Sequence, residues 1–369
     1  MMDYKGLYIH VPFCIKKCKY CDFVSFTDEQ EMYDKYISSV LKEASHYKGI
    51  SVDTVFVGGG TPTVLSASQL KRLLQGVEEI FKITTDAEFS VEANPGTIDE
   101  EKLAVLKSCG VNRLSIGVQS FDDKELRMLG RIHDSKGALG AIQTAQRYFD
   151  NINIDIMTAI PGQTDQSLMN TLKTAVETGA QHLSCYSLIL EEGTVLEAMV
   201  RSGEVKLLDD ETDRKMYARM CSYLEAEGYE RYEISNFSKP GRNCRHNLKY
   251  WNTQEYIGLG AAAHSYLDGK RFYNTSDLNC YINQPKKREE SIELSQSDKV
   301  AEYIIMSLRT ARGVDLKEFY NRFGFDFAEN YASEICKFTQ GGFLMLSDNR
   351  CYLTDKGIDV SNSIMCEFL

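Results

Sequence analysis

Short apolar runs rich in β-branched residues recur along this chain, at positions 6–11, 53–57, 88–93, 113–118, 153–160 and 182–190, and each has the length of a single strand. Between them the apolar positions shift to helical spacing. The clearest interval sets Leu70, Leu73, Leu74, Val77, Ile80 and Phe81 on one face, behind a Ser66-x-x-Gln69 capping box. Another opens at Thr97-x-x-Glu100, turns Leu103 and Leu106 inward and stops at Gly110. Strands alternating with helices require right-handed crossovers and a parallel sheet covered on its outer face. Six such units predict an α/β fold built as an incomplete (β/α)6 barrel, short of the closed eight, with its site at the carboxyl ends of the strands and room for a large substrate.

The pattern changes beyond residue 283. The stretch Gln284-Pro285-Lys286-Lys287-Arg288-Glu289-Glu290 is polar and charged, which predicts a linker over 284–294 between a first domain at 1–283 and a second at 295–369. The second domain reads as helices followed by a hairpin, whose arms are Gly341-Gly342-Phe343-Leu344-Met345-Leu346 and Cys351-Tyr352-Leu353-Thr354-Asp355-Lys356-Gly357. That outline is winged-helix-like. Winged helices often bind DNA, yet residues 295–369 hold 8 Lys or Arg against 11 Asp or Glu, and the whole chain carries a net charge of −11. Neutralising phosphates needs clustered cations, so no nucleic-acid partner is expected and the wing is expected to pack on the barrel.

Composition narrows the class further. With 369 residues, 43% hydrophobic and 26% charged, the chain reads as a soluble globular protein. No apolar run is long enough to span a bilayer and no basic-then-apolar leader precedes Cys14, so stable membrane insertion and export are not expected and the location is cytoplasmic. Eleven cysteines without paired spacing suit a reducing compartment, and Cys109, Cys185, Cys221 and Cys366 read as buried small hydrophobes.

Cys14, Cys18 and Cys21 form a C-x-x-x-C-x-x-C run on the loop that leaves the first strand, which Pro12-Phe13 ends. Three thiolates leave one corner of a four-iron cluster without a protein ligand, a vacancy at which a small molecule binds. A zinc knuckle is the alternative, but its tight C-x-x-C pairs with a fourth Cys or His are missing. After the second strand comes Gly58-Gly59-Gly60-Thr61-Pro62, which lets backbone amides and carbonyls approach a ligand and is not a P-loop, because no Gly-Lys-Ser/Thr follows. Glu92 closes the third strand, Gln119 the fourth, and Asp155 lies in the fifth. Three polar side chains therefore converge on one rim, where a buried carboxylate needs a hydrogen-bonding or charged partner.

The words Tyr8-x-His10-x-Pro12-Phe13-Cys14 and Cys21-Asp22-Phe23 resemble the radical S-adenosylmethionine (radical SAM) superfamily, and within it the coproporphyrinogen-oxidase-like branch. The resemblance implies that Cys14, Cys18 and Cys21 hold a 4Fe-4S cluster that binds and reductively cleaves S-adenosylmethionine. It also implies that Tyr8, Gly59, Gly60, Thr61, Glu92, Gln119, Arg131 and Asp155 contact that cofactor, with Arg131 pairing its carboxylate. One departure is Thr158-Ala159-Ile160-Pro161, where the branch usually carries Tyr-Gly-Leu-Pro.

The segment Arg245-His246-Asn247-Leu248-Lys249-Tyr250-Trp251 contains an H-N-x-x-Y-W word and, with the following Gly258-Leu259-Gly260, is similar to the HemW family of heme chaperones. That likeness implies heme as cargo, His246 as heme-iron ligand, Tyr250 and Trp251 against the porphyrin, and heme-acceptor proteins as partners. Taken without it, His246 reads as a loop histidine bonded to backbone, and His10 and His264 read as structural. The other activity in the branch is the oxygen-independent coproporphyrinogen III oxidase. Its fourth cysteine, two residues after the third, is Phe23 here, only thirteen residues precede Cys14, and the oxidase lacks the H-N-x-x-Y-W word. The residues favour heme carriage and leave open whether the chain is an enzyme.

Overall fold

The computed structural model describes residues 4–369. At its centre six strands run parallel in sequence order: β1 (Lys5–Val11), β2 (Ser51–Gly59), β3 (Lys82–Ala93), β4 (Arg113–Gln119), β5 (Ile152–Thr158) and β6 (His182–Ser187). Their period-two alternation sorts two sets of side chains. Leu7, Ile9, Val55, Val57, Val91, Leu114, Ile116, Ile154 and Leu183 are fully buried against the outer helices, where each stabilises the fold by roughly 1.5–3 kcal/mol. The opposite set, including Tyr8, Glu92, Ser115, Asp155 and Ser184, faces an interior that a closed apolar barrel would have filled. This is the partial (β/α)6 barrel that the sequence predicts.

The Ala67–Ile80 helix begins at the expected capping box, with Ser66 and Gln69 bonded reciprocally. The next helix, Glu100–Ser108, is capped differently. Asp99 accepts from the Lys102 N–H at 2.8 Å, whereas the Thr97 hydroxyl is taken by Thr63 at 2.6 Å, so the cap lies two residues later than the spacing suggested.

The sheet continues past both edges of the barrel. On the β6 side it gains the antiparallel β7 (Glu230–Arg231) and β8 (Asn236–Ser238). On the β1 side β9 (Tyr256–Leu259) pairs in parallel, followed by β10 (His264–Leu267), β11 (Lys270–Asn274) and β12 (Arg288–Glu293), for twelve strands in all. The expected linker at 284–294 is corrected by this: residues 288–293 are strand β12, in register with β11 from Lys270 opposite Glu293 to Tyr273 opposite Glu290, with a one-residue shift before Asn274 meets Arg288.

The C-terminal unit packs the helices Gln296–Leu308, Leu316–Phe323 and Ala332–Gln340 against β13 (Val314–Asp315), β14 (Leu344–Ser347) and β15 (Arg350–Leu353) around its own core of Ile304, Phe319, Phe327 and Ile335. Asp348 and Asn349, with φ of 50° and 61°, make the tight turn of the wing. It rests on the barrel through Arg271–Glu302 at 2.6 Å, Arg231–Asp355 at 2.7 Å and the Ala311 N–H donating to the Tyr232 carbonyl at 3.0 Å. Cys109 and Cys185 are buried as expected, Cys221 is half-buried, and Cys366 is exposed because the last helix turns it outward. Among the described residues no helix is long and apolar enough to cross a membrane.

Candidate functional site

The loop from β1 to the first helix is held in place at several points. Phe13 is fully buried, with ring centroids 4.4 Å from Tyr33 and 5.1 Å from Tyr36. The Cys14 N–H donates to the Phe26 carbonyl at 2.9 Å, and the Phe26 N–H to the Pro12 carbonyl at 2.7 Å. Further along, Lys19 donates its N–H to the Leu129 carbonyl at 3.0 Å and accepts from the Leu196 N–H at 2.8 Å. A small cluster of Leu129, Met157 and Ile160, with Tyr20 packed against it, supports the loop from below.

So fixed, Cys14, Cys18 and Cys21 line one open cavity of about 350 Å3 at the carboxyl ends of the strands, together with Gly59, Gly60, Thr61, Glu92, Gln119, Arg131 and Asp155. Every cofactor-contacting residue that the resemblance implied is there except Tyr8. Its side chain lies one layer deeper in the barrel, where its hydroxyl donates to His10 Nδ1 at 2.9 Å, and His10 Nε2 donates in turn to the Val24 carbonyl at 3.0 Å.

The glycines make close approach possible. A Cβ on Gly59, whose φ is +109°, would stand 2.4 Å from the His10 ring, and one on Gly60 would meet the Phe13 carbonyl at 2.7 Å. Gly59 donates its N–H to Glu92 at 3.0 Å. Arg131 reaches over the cavity to Cys18 Sγ at 3.2 Å and to the Gly117 carbonyl, while its Nε is buried without a partner. Gln119 has a φ of +73°, a strained conformation that ends β4 with its side chain in the cavity.

Burial shapes the electrostatics. It pushes the Cys14 thiol up, and Cys21 up to about 11, so both are protonated until a metal draws the proton off. Burial, and then the neighbouring Asp155, push Glu92 up to about 8. Asp155 is also raised by burial, against hydrogen bonds from Asn153 at 2.6 Å and Ser115 at 3.3 Å. A carboxyl pair so short of charge compensation, beside an unmet guanidinium nitrogen and three thiols, fits a cationic amine, a carboxylate and a thiolate-held cluster as the missing groups.

The H-N-x-x-Y-W segment is placed elsewhere. The Arg245–Trp251 helix closes the amino-terminal end of the barrel. His246 is fully buried, with Nδ1 bonded to the Thr54 hydroxyl at 2.9 Å and Nε2 to the Tyr250 hydroxyl at 2.7 Å, and its ring stacked on Phe56 at 5.3 Å. Burial, then Lys249 and Arg113, push its pKa down to about 3, so the ring is neutral. Trp251 is not beside it. The indole faces the C-terminal domain, with the Arg309 guanidinium 5.0 Å above the ring. Sequence reasoning missed Lys16, Lys17, Tyr20, Met157 and Tyr186 as cavity-lining residues. For Met157 and Tyr186 the signal was present, since each stands two positions after Asp155 or Ser184 on the inward face of its strand.

Residues 8–175 match the Radical SAM superfamily, and residues 294–360 match the HemN C-terminal domain. Over 375 aligned residues the chain is 36% identical to the heme chaperone HemW of Bacillus subtilis (strain 168), with 99% of each chain covered. The chain belongs to the HemW family. It is also 35% identical to the heme chaperone HemW of Escherichia coli (strain K12) over 324 residues, 85% of each chain. Coproporphyrinogen III oxidase (HemN) from Escherichia coli superposes with a TM-score of 0.86 over 99% of this chain and 90% of its own, at 24% identity, which shows a shared fold. The match of residues 8–175 to the Radical SAM superfamily implies a 4Fe-4S cluster and S-adenosylmethionine for this HemW-family chain.

Proposed function

We propose that this chain is a cytoplasmic heme chaperone that takes up heme and passes it to acceptor proteins. What carries the reading is a likeness that runs from end to end, through the H-N-x-x-Y-W helix and into the C-terminal domain, to relatives named heme chaperones. The cysteine cavity supports it, because its thiol set stops at three and Phe23 stands exposed at its mouth.

Cys14, Cys18 and Cys21 hold the 4Fe-4S cluster in this reading, and Gly59, Gly60, Thr61, Glu92, Gln119, Arg131 and Asp155 hold S-adenosylmethionine. Tyr8 supports them from below through His10. When bound, the two groups supply one-electron chemistry to the cavity. Arg131 orients a carboxylate with its guanidinium. Glu92 and Asp155 accept from an amine and from hydroxyl groups, and a cation there restores the charged form of Glu92.

His246 is the proposed heme-iron ligand, with Tyr250 beside the porphyrin, and Trp251, which faces Arg309 in the closed arrangement, joins them once the helix moves. Both imidazole nitrogens are engaged in the closed arrangement, so ligation requires Tyr250 to give up Nε2 and the helix to move away from β2. Reversible opening of that kind suits a carrier, which has to release its cargo.

The test is heme titration of the anaerobically reconstituted protein, followed by mixing with an apo-hemoprotein. Saturable binding and transfer of the heme spectrum to the acceptor are expected. Absence of heme binding sinks the reading, as does anaerobic turnover of coproporphyrinogen III to protoporphyrinogen IX.

A further inference from the structure

Beneath the cysteine cavity the barrel interior holds a second chamber of about 340 Å3. The two spaces share Glu92, Asp155 and Tyr186 in their walls. The lower chamber has an aromatic wall of Tyr8, Phe56 and Tyr250, and a polar one of Ser115, Asn153 and Ser184.

Arg113 enters this chamber from β4, 2% exposed, and its Nε has no hydrogen-bond partner. Ser90, opposite Arg113 in the β3–β4 register, is 0% exposed, and its hydroxyl is equally unmet. A guanidinium cannot shed its charge, and a buried donor left unsatisfied is strongly destabilising. Glu88 and Asp155 stand near enough to Arg113 to offset its charge, yet neither bonds its Nε. Glu88 accepts from the N–H groups of Arg245 at 2.9 Å and His246 at 3.0 Å and from the Cys244 thiol at 3.5 Å. Asp155, on the wall of this chamber, is held by Asn153 and Ser115.

We propose that this inner chamber binds a small carboxylate, clasped by Arg113 with its apolar part against Tyr8, Phe56 and Tyr250. The planar fork of a guanidinium matches the two oxygens of a carboxylate, and an aromatic wall with a few polar anchors is the usual make-up of a small-molecule site. Glu92, protonated at neutral pH, adds no second negative charge to the chamber wall. The site shares Glu92 and Asp155 with the cofactor positions above it, and its wall includes the proposed heme ligand His246, whose imidazole is engaged with Thr54 and Tyr250.

Saturation-transfer NMR of acetate with the full-length protein, at ionic strength matched with chloride, tests this. Saturable acetate binding is expected, weakened about tenfold or more in Arg113→Gln and partly retained in Arg113→Lys, which keeps the charge and loses the fork. Circular dichroism establishes that each variant is folded. Should Arg113→Gln fail to fold, Arg113→Lys decides by weaker binding than wild type. No acetate signal in the wild type, or an equal signal in the folded variants, overturns the proposal and leaves Arg113 solvated by water alone.

Discussion

Strain and unmet charge single out the residues that do more than hold the fold. Gln119 keeps a left-handed backbone that costs on the order of 1–3 kcal/mol, and it does so where its side chain meets the cysteine cavity. Glu92 carries a proton near neutrality because burial and Asp155 disfavour its charge, with a folded pKa of about 8 against an ordinary value of 4.5. The native state thus holds a proton that the unfolded chain has released. In the protein without cofactor, this contribution to stability is complete below about pH 4.5 and is lost as pH rises through about 8, at up to roughly 1.4 kcal/mol per pH unit between them. Glu92→Gln should flatten that slope, and urea unfolding of both proteins across the interval measures it. Cys18→Ser should bring iron and acid-labile sulfide after anaerobic reconstitution down from about four of each per chain to background, and unchanged contents would remove Cys18 from the ligand set. Positions such as these were legible in the sequence because cysteines, glycines and strand-end carboxylates stand where parallel strands place their ligands. Tyr8 and Arg113 were harder to read, since their roles depend on which layer of the barrel interior they reach, and spacing along one strand does not reveal that.

The Arg245–Trp251 helix shows how an element joins remote parts of the chain. His246 bonds Thr54, 192 positions away, and a partner that distant leaves no trace in the local pattern. A polar, aromatic word reads as a ligand set, whereas its histidine also plugs a barrel. Two expectations follow for His246→Ala. The cofactor-free protein should lose roughly 2–4 kcal/mol of stability in thermal or urea unfolding, because two buried hydroxyls lose their partner. Heme affinity should also fall, and a heme absorption spectrum identical to wild type in the folded variant would assign the iron ligand elsewhere. Strand β12 was illegible for the opposite reason. An edge strand whose residues are almost all exposed, Arg-Glu-Glu-Ser-Ile-Glu, has no buried face to impose alternation, so it looks like a linker. The six central strands were readable because each buries one face under helices.

At the scale of the whole molecule, the C-terminal domain serves as a strut. Arg322 donates to the Asn252 carbonyl at 3.2 Å and the Thr253 carbonyl at 3.0 Å, just past the end of the H-N-x-x-Y-W helix, and Arg231 and Arg271 tie the same domain to the sheet. Its outline as a winged helix was visible from the glycines and the hairpin arms, and its acidity from a simple count. Duplex DNA at low salt should therefore show no mobility shift with the full-length protein, and a salt-sensitive shift would contradict that expectation. The chain's single tryptophan stands against Arg309 of the C-terminal domain, among 21 tyrosines that red-edge excitation leaves dark. Nature has thereby installed a fluorescent gauge at the seam, and separation of the two domains would be read as a change in indole emission from the unlabelled protein.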